Sequence, residues 1–352
     1  MNALLENSLA VLGQEVPLGR VDKALKELWG KDDARTKASL LNFAIYSEDP
    51  ASLSPNMALM AEITQEHSCR GLLILALPSE APARARSWIT AHCQLHDGHK
   101  SVCSEQVSFV LEGGNVNRVR NIVFAHLDSD LSLAFWWQGN LTANFDERLY
   151  SVMDLLILDS SSWKEPGSDF AMLNAAMLEK TAKFRVYDLS WLRSHQFRTA
   201  MATCFCEATA IAELSKLETI SITHAAGHRV AGLLLAAWIG VRLKCELQAS
   251  KGKIQLILPE GKAVTVTLHE GSSREALQAI TLKSANATFT VNRTCGTSYI
   301  CTKVEIGQHA HEEMLPADLE NDAELIGEQL SRLGGQSLYV QILPMLHRML
   351  EA

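Results

Sequence analysis

Between Ser39 and Leu77 the chain passes from an apolar run through a turn and a helical period into a second apolar run, and that succession leaves few folds open. Residues 39–46 read as a buried strand and residues 49–55, which begin Asp49-Pro50 and end at Pro55, as a loop. Residues 57–67 read as a helix with Met57, Met60, Ala61 and Ile63 on its inner face, and residues 72–77 as a strand closed by Pro78. Adjacent parallel strands need a crossover, and about 40 residues of strand, helix and strand supply one βαβ unit.

The flanking segments extend this pattern. Upstream, Val21, Leu25, Leu28 and Trp29 follow Pro17 at helical spacing. Downstream, residues 87–95 and 102–111 read as strands joined by His96-Asp97-Gly98-His99, which has hairpin composition. Residues 117–127 and 145–152 then read as helices, and residues 131–137 and 155–158 as strands. The first half is therefore expected to be an α/β domain with a mixed sheet and helices, over residues 1–165. Trp163-Lys164-Glu165-Pro166-Gly167-Ser168 breaks the pattern and marks the boundary.

A second domain, residues 166–352, is expected because single cores usually stop growing near ~250 residues. It opens with helices over 169–182 and 189–213, a strand over 220–223 and a helix over 230–243. Short alternating segments follow at 245–249, 253–258, 263–268, 276–283, 287–291 and 299–306, the pattern of an antiparallel meander. Helices over 318–333 and 339–350 complete an α+β domain.

Composition narrows the function. Hydrophobic residues make up 47% and charged residues 20%, ordinary globular usage. A net charge of -8 without a Lys/Arg cluster argues against nucleic acid as a partner. The first residues carry Glu6 and no basic stretch before a short apolar run, and residues 231–241 are about half the ~20 needed to span a bilayer. A cytoplasmic chain without a membrane partner is expected, and its eight cysteines, too sparse for a disulfide scaffold, are expected to be mostly reduced thiols.

Several short segments recur together in one known family. The chain carries Ala91-His92-Cys93, then Cys103-Ser104-Glu105-Gln106, then Trp136-Trp137-Gln138-Gly139, then Asp159-Ser160-Ser161. It continues with Asp188-Leu189-Ser190-Trp191 and with the small-residue helix from Ala231 to Trp238. In this order and spacing, from about residue 40 to about residue 250, the sequence resembles the OpcA family. The resemblance implies a non-catalytic accessory protein that binds glucose-6-phosphate dehydrogenase and promotes its assembly or allosteric activation in the oxidative pentose phosphate pathway. It implies no cofactor and supplies no catalytic residues, and the tail after Lys251 shows no pattern that extends it. Thiol redox control is linked to cyanobacterial members, without a cysteine here to which it maps.

Each constellation with chemical potential has a plainer structural reading. His92, Cys93, His96, His99 and Cys103 are packed closely enough for zinc, but on a strand His92 and Cys93 face opposite sides, so strand residues and a polar hairpin tip are expected and no metal. Cys204 and Cys206 fall in a helical segment at a spacing that does not bring them together. Cys295 and Cys301 flank a hairpin-like Gly296-Thr297-Ser298 and are the redox candidates. Gly227, His228 and Arg229, at a strand-to-helix turn, are the anion-site candidates, although no dinucleotide or P-loop fingerprint accompanies them.

Open α/β sheets gather ligands at the carboxyl ends of their strands. Trp136, Trp137, Gly139, Asp159 and Ser160 fall at two such ends and are the partner-contact candidates, with Trp136 and Trp137 on opposite faces of one strand. A different class of function, a sugar-phosphate-binding enzyme or hydrolase, would use the same edge near Asp159, Ser160 and His224. A metal-dependent redox sensor at residues 92–103 is a third. Glu105, Asp159 and Asp188 are carboxylates of the kind acid-base chemistry uses, and nothing in the sequence pairs them.

Overall fold

The computed structural model describes residues 9–31, 36–37, 39–78, 82–96, 99–128, 130–250, 252–272, 274–294, 297–317, 321–331 and 337–351. The chain opens with β1 (Gln14–Val16), α1 (Val21–Lys31), β2 (Thr36–Lys37), β3 (Leu41–Ser47), α2 (Leu53–Glu66) and β4 (Cys69–Leu77). There follow β5 (Arg84–His96), β6 (His99–Glu112), α3 (Val119–His126), β7 (Leu133–Trp137), α4 (Glu147–Tyr150), β8 (Leu155–Leu158), α5 (Pro166–Leu178) and β9 (Arg185–Asp188). Next come α6 (Leu189–Arg193), α7 (His195–Thr203), α8 (Ala208–Ile211), β10 (Thr219–His224), α9 (Arg229–Arg242), β11 (Glu246–Ser250) and β12 (Lys253–Ile257). The last elements are β13 (Ala263–Glu270), β14 (Leu277–Lys283), β15 (Ala287–Arg293), β16 (Tyr299–Ile306), β17 (His309–Pro316), α10 (Asp322–Ser331) and α11 (Ser337–Leu350).

Two compact units result, each discontinuous in sequence. One comprises Met1–Leu158, Met172–Tyr187 and Asp322–Leu333, and the other Asp159–Ala171, Asp188–Asn321 and Gly334–Ala352.

The first unit is built on a sheet of order β1-β5-β6-β4-β3-β7-β8-β9, with β2 also paired to β6. Strands β6, β4, β3, β7 and β8 run parallel, and β5 joins β6 in an antiparallel hairpin. From β3 the chain moves outward to β4 and β6, then returns to the other side of β3 for β7, β8 and β9. This is the doubly wound arrangement, with its reversal point between β3 and β7. Strands covered on both faces need apolar residues at every position. Leu133-Ala-Phe-Trp-Trp137 and Leu155-Leu-Ile-Leu158 meet that demand, and every residue of both is buried.

Asn42 fixes the entry to this core. Fully buried near the start of β3, its amide donates to the carbonyls of Asp128 and Leu131, at 2.9 Å each, while its carbonyl oxygen accepts from the Asp128 backbone at 2.9 Å. One side chain thereby holds the loop that leads into β7.

The second unit carries an eight-stranded sheet of order β11-β12-β13-β10-β14-β15-β16-β17. Its strands alternate buried with exposed or half-buried residues, as in β13, where Val264 and Val266 are buried and Thr265 and Thr267 exposed. Helix α9 packs on β10 and β13, α7 on β15 and β16, and α11 on β11. Ten of the residues of α9 are buried, which accounts for its nearly continuous apolar sequence.

An α/β architecture with mixed sheets and helices thus matches the reading of the sequence, with several local differences. The sheet of the second unit is not a pure meander, because β10 pairs in parallel with β13 while pairing antiparallel with β14. The helix expected over 189–213 is three short ones. Its first break falls at Ser194, whose hydroxyl donates to the Trp191 carbonyl at 2.7 Å in place of continued helical bonding. Helix α4 is a single turn, started by Asp146, whose carboxylate accepts from the Leu149 N–H at 2.9 Å. Four strands were not anticipated: β1 and β2, of three and two residues, β9, four residues long, and β17, whose residues lack the alternation that marks a half-buried strand.

Trp136 and Trp137 do lie on opposite faces of β7, and both are buried, at 5% and 0% exposure. Neither indole is offered at the surface of the free chain, because both faces of β7 are covered. Trp137 stacks against Tyr46 with ring centroids 4.1 Å apart and meets Phe145 edge-on at 5.5 Å. Trp137→Ala is expected to cost about 3–5 kcal/mol of folding stability, the range for large buried aromatics, and chemical denaturation followed by circular dichroism measures it.

Candidate functional site

The reversal point between β3 and β7 is where a doubly wound sheet receives a ligand, and a dinucleotide needs a glycine-rich first βα turn there to let backbone N–H groups reach its phosphates. Between β3 and α2 this chain has Glu48-Asp49-Pro50-Ala51-Ser52. Two carboxylates stand where a diphosphate would bring more negative charge, and the turn has no glycine. Asp49 is committed to starting the turn, accepting from the Ala51 N–H at 2.9 Å.

The polar side chains beside the turn bond to one another. Glu48 accepts hydrogen bonds from the Tyr46 phenol at 2.6 Å and from the Thr142 hydroxyl at 2.8 Å, and the Asn144 amide donates to the Tyr46 oxygen at 2.9 Å. Asn56 and Gln138 exchange reciprocal amide bonds of 2.8 Å, and the Trp137 indole N–H donates to the Asn140 carbonyl at 2.9 Å. Burial, and after it the hydrogen bond to and charge of Glu48, push the Tyr46 phenol far above its usual range, so it stays a donor. Gly139 turns the chain out of β7 with a φ of 79°, a conformation that favours glycine.

Asp159 and Asp188, which follow or end β8 and β9, form a second polar cluster that lies within the second unit. Each begins a helical turn as its N-cap. Asp159 pairs with Arg193 at 2.8 Å and accepts from the Ser161 hydroxyl at 2.7 Å and the Ser190 hydroxyl at 2.9 Å. Asp188 is wholly buried and accepts from the Ser160 hydroxyl at 2.7 Å, the Ser160 and Ser190 N–H groups at 3.1 and 3.0 Å, and the Tyr339 phenol at 3.1 Å. Pairing of these carboxylates was invisible in the sequence, where 28 residues separate Ser160 from Asp188.

The two acids differ in protonation. Burial raises the Asp159 carboxyl, but the charge of Arg193 and the bonds from Ser161, Arg193 and Ser190 outweigh it and hold the group below its usual range. For Asp188, burial and the neighbouring charge of Asp159 outweigh the bonds from Ser160 and Ser190, and its carboxyl is pushed up to about 6. The cluster is a closed network in which each acid serves a structural turn. Ser160 is itself fully buried, which withdraws it from the surface of the free chain.

The other candidates are dispersed. His224, buried in β10, bonds through Nδ1 to the Ala225 carbonyl at 2.8 Å, and among the described residues no hydrogen bond or ion pair joins it to Asp159 or Ser160. Gly227 turns the chain into α9 with a φ of 78°, and Arg229 is exposed on the first turn of that helix. Glu105 is buried against Arg70, 3.3 Å away.

Cys93 and Cys103 form a disulfide across β5 and β6, which corrects the expectation of reduced thiols at this pair. The ladder explains why the sequence hid it. His96 pairs with His99 and Leu95 with Lys100, a count that would set Cys93 opposite Val102; an irregularity between Cys93 and Leu95 moves it to Cys103. His92 instead bonds to Gln106 at 2.7 Å, and among the described residues no three potential metal ligands converge. The side chains of His96 and His99 and the whole of Cys295 lie outside the described residues, and Cys301 is a free, half-buried thiol.

A cleft of about 380 Å³ lies at the opposite end of the parallel strands, lined in part by His67, Asp154, Arg185 and Gln329. These residues start strands or end helices and carry no motif that sequence reading recognises.

The Asp159–Asp188 cluster has a measurable signature. Asp188 keeps its proton in the folded chain up to about 6 against 3.8 when unperturbed, so its contribution to stability is complete below 3.8 and is lost as pH rises through about 6. Asp159 acts in the opposite sense, contributing above 3.8 and losing that contribution as pH falls. Between about pH 4 and about pH 7 the melting temperature of Asp188→Asn is therefore expected to rise relative to that of the wild type. Arg193→Met, which strips Asp159 of its counterion, is expected to cost about 3–5 kcal/mol at neutral pH by chemical denaturation.

Comparison with known proteins agrees with this geometry. Residues 60–175 match the glucose-6-phosphate dehydrogenase subunit N-terminal domain and residues 185–343 the corresponding C-terminal domain, which carries the likeness well past Lys251. A Synechocystis sp. protein named OxPP cycle protein OpcA is 23% identical over 304 residues, which is 79% of this chain and 62% of that protein, so the chain spans less than two thirds of its relative. Among solved structures, two mutant forms of the 3-ketoreductase KijD10 from Actinomadura kijaniata have TM-scores of 0.51 and 0.52 at 12% identity. Each alignment covers 89% of this chain and 96% of the other, a likeness of fold alone. With both domain matches lying in order along most of its length, the chain belongs to the OpcA family of glucose-6-phosphate dehydrogenase subunit proteins.

Proposed function

We propose that this chain is a non-catalytic, cytoplasmic accessory protein that binds glucose-6-phosphate dehydrogenase and promotes its assembly or allosteric activation in the oxidative pentose phosphate pathway. The observation that carries the reading is the match of both halves to the subunit family. A second observation supports the absence of catalysis. In a fold shared with a nucleotide-dependent reductase, the first βα turn holds Glu48 and Asp49, and beside it Tyr46 bonds to Glu48 and packs on Trp137 while Asn56 bonds to Gln138.

An accessory protein raises activity only by binding the active or assembled state of its partner more tightly than the inactive one. A tenfold shift in that equilibrium needs about 1.4 kcal/mol of differential binding. An interface of ordinary size supplies this without any group touching the substrate.

Titrating the purified chain into the dehydrogenase of its own host, with rate and light scattering followed together, is expected to raise the rate, the assembled mass or both. The chain alone, given glucose 6-phosphate and NADP, is expected to give no turnover. Absence of both a complex and a rate change at micromolar concentrations overturns the proposal.

A further inference from the structure

The sheet of the second unit has one face under α7, α9 and α11, and the opposite face carries side chains that are exposed or half-buried among the described residues. Following the strand pairing across that face gives one row, Thr267, Ser221, Thr281, Thr290, Lys303 and Glu312. Thr267 and Glu312 are exposed and the other four half-buried. The four positions on β13, β10, β14 and β15 carry hydroxyls and no charge. At the β16–β17 margin, Tyr299 is 50% and Met314 66% exposed, and Met314 lies opposite Cys301. Strand β17 ends the sheet with seven of its eight residues exposed.

We infer that this face is a protein–protein interface, and that its occupant is the same face of a second copy of the chain. Three arguments fix the occupant. The first is charge. A two-fold dimer sets each patch against itself, so a charged centre would face its own sign; an uncharged row of Thr and Ser at the centre avoids this. The charges at the margin do not obstruct pairing, because Lys303 already pairs internally with Glu305 at 2.9 Å and with Glu312 at 3.8 Å.

The second argument is area. Six strands at ~4.8 Å spacing, each presenting ~5 residues at ~3.3 Å, offer roughly 500 Å² per copy, or about 1,000 Å² in all, near the lower bound for a specific interface. The third is anchoring. Tyr and Met are enriched at interface cores relative to the rest of a protein surface, and here they rim an otherwise hydroxyl-lined face. A two-fold axis along the strands through β14 brings the β16–β17 margin of each copy toward the β13 side of the other, where Thr265, Thr267 and His269 are exposed.

Sedimentation velocity on the full chain at micromolar concentration tests the inference. The wild type is expected at twice 38.7 kDa. Thr281→Glu, which places like charges across the axis, is expected to sediment as the monomer with an unchanged circular dichroism spectrum, and Met314→Ser to weaken the dimer at least tenfold. Should Thr281→Glu misfold, Thr290→Glu on the neighbouring strand gives the same reading. A monomeric wild type overturns the inference, including the case in which Thr281→Glu abolishes binding to the dehydrogenase and the face belongs to that partner. A dimer that survives both charge substitutions also overturns it.

Discussion

When both faces of a parallel sheet are covered, a polar group away from the strand ends must find a buried partner, and much of the first unit follows from that constraint. Apolar residues fill the middle of β3, β4, β7 and β8, so much of the specific chemistry collects at their termini; β6 departs from this by burying Ser104, Glu105, Gln106 and Ser108. At one end Asn42 ties down the loop into β7, and at the other hydrogen bonds link Tyr46, Glu48, Thr142 and Asn144 to one another while Asn56 and Gln138 bond reciprocally. Doubly wound folds that act on nucleotides keep that second end open. Here the same topology carries at that end half-buried polar side chains bonded to one another.

The same demand for satisfied buried groups explains the Asp159–Asp188 cluster. Two carboxylates close enough to perturb one another are costly to bury with full charge, and the structure divides the cost between them. Arg193 neutralises one, and the other is left with a proton-binding affinity well above that of a free aspartate. A sequence scan for acidic pairs would flag this cluster as catalytic. Its geometry points elsewhere, because the oxygens that chemistry would need are occupied by serine hydroxyls, backbone N–H groups and the Tyr339 phenol.

Much of the fold was legible because its strongest signals are local. The buried strands over 155–158 and 299–306 were read with the bounds they have, and the helix expected over 230–243 is displaced by one residue. Features that failed were those set by partners distant in sequence. Strand β17 has no alternation of its own because residues on both of its sides are exposed, and β10 pairs with β13 through a register that no periodicity encodes. Pairing of Cys93 with Cys103 depends on a single ladder irregularity. The short motifs around Trp136, Asp159 and Asp188 did identify the family, yet they mark residues that hold turns and core together. Family signatures of this kind record the architecture first.

Helix α10 packs on α2 inside the first unit, although it lies beyond nearly all of the second unit in sequence. During synthesis the first unit therefore leaves the ribosome incomplete, with the surface of α2 around Ile63 and the adjacent cleft uncovered while the chain from Asp188 to Asn321 is still being made. At translation rates of ~5–20 residues per second that interval is roughly seven to twenty-seven seconds, far longer than a domain of this size needs to collapse. The order of genetic information and the order of structural closure are thus uncoupled, and the nascent first unit presents apolar surface to chaperones until one late helix arrives.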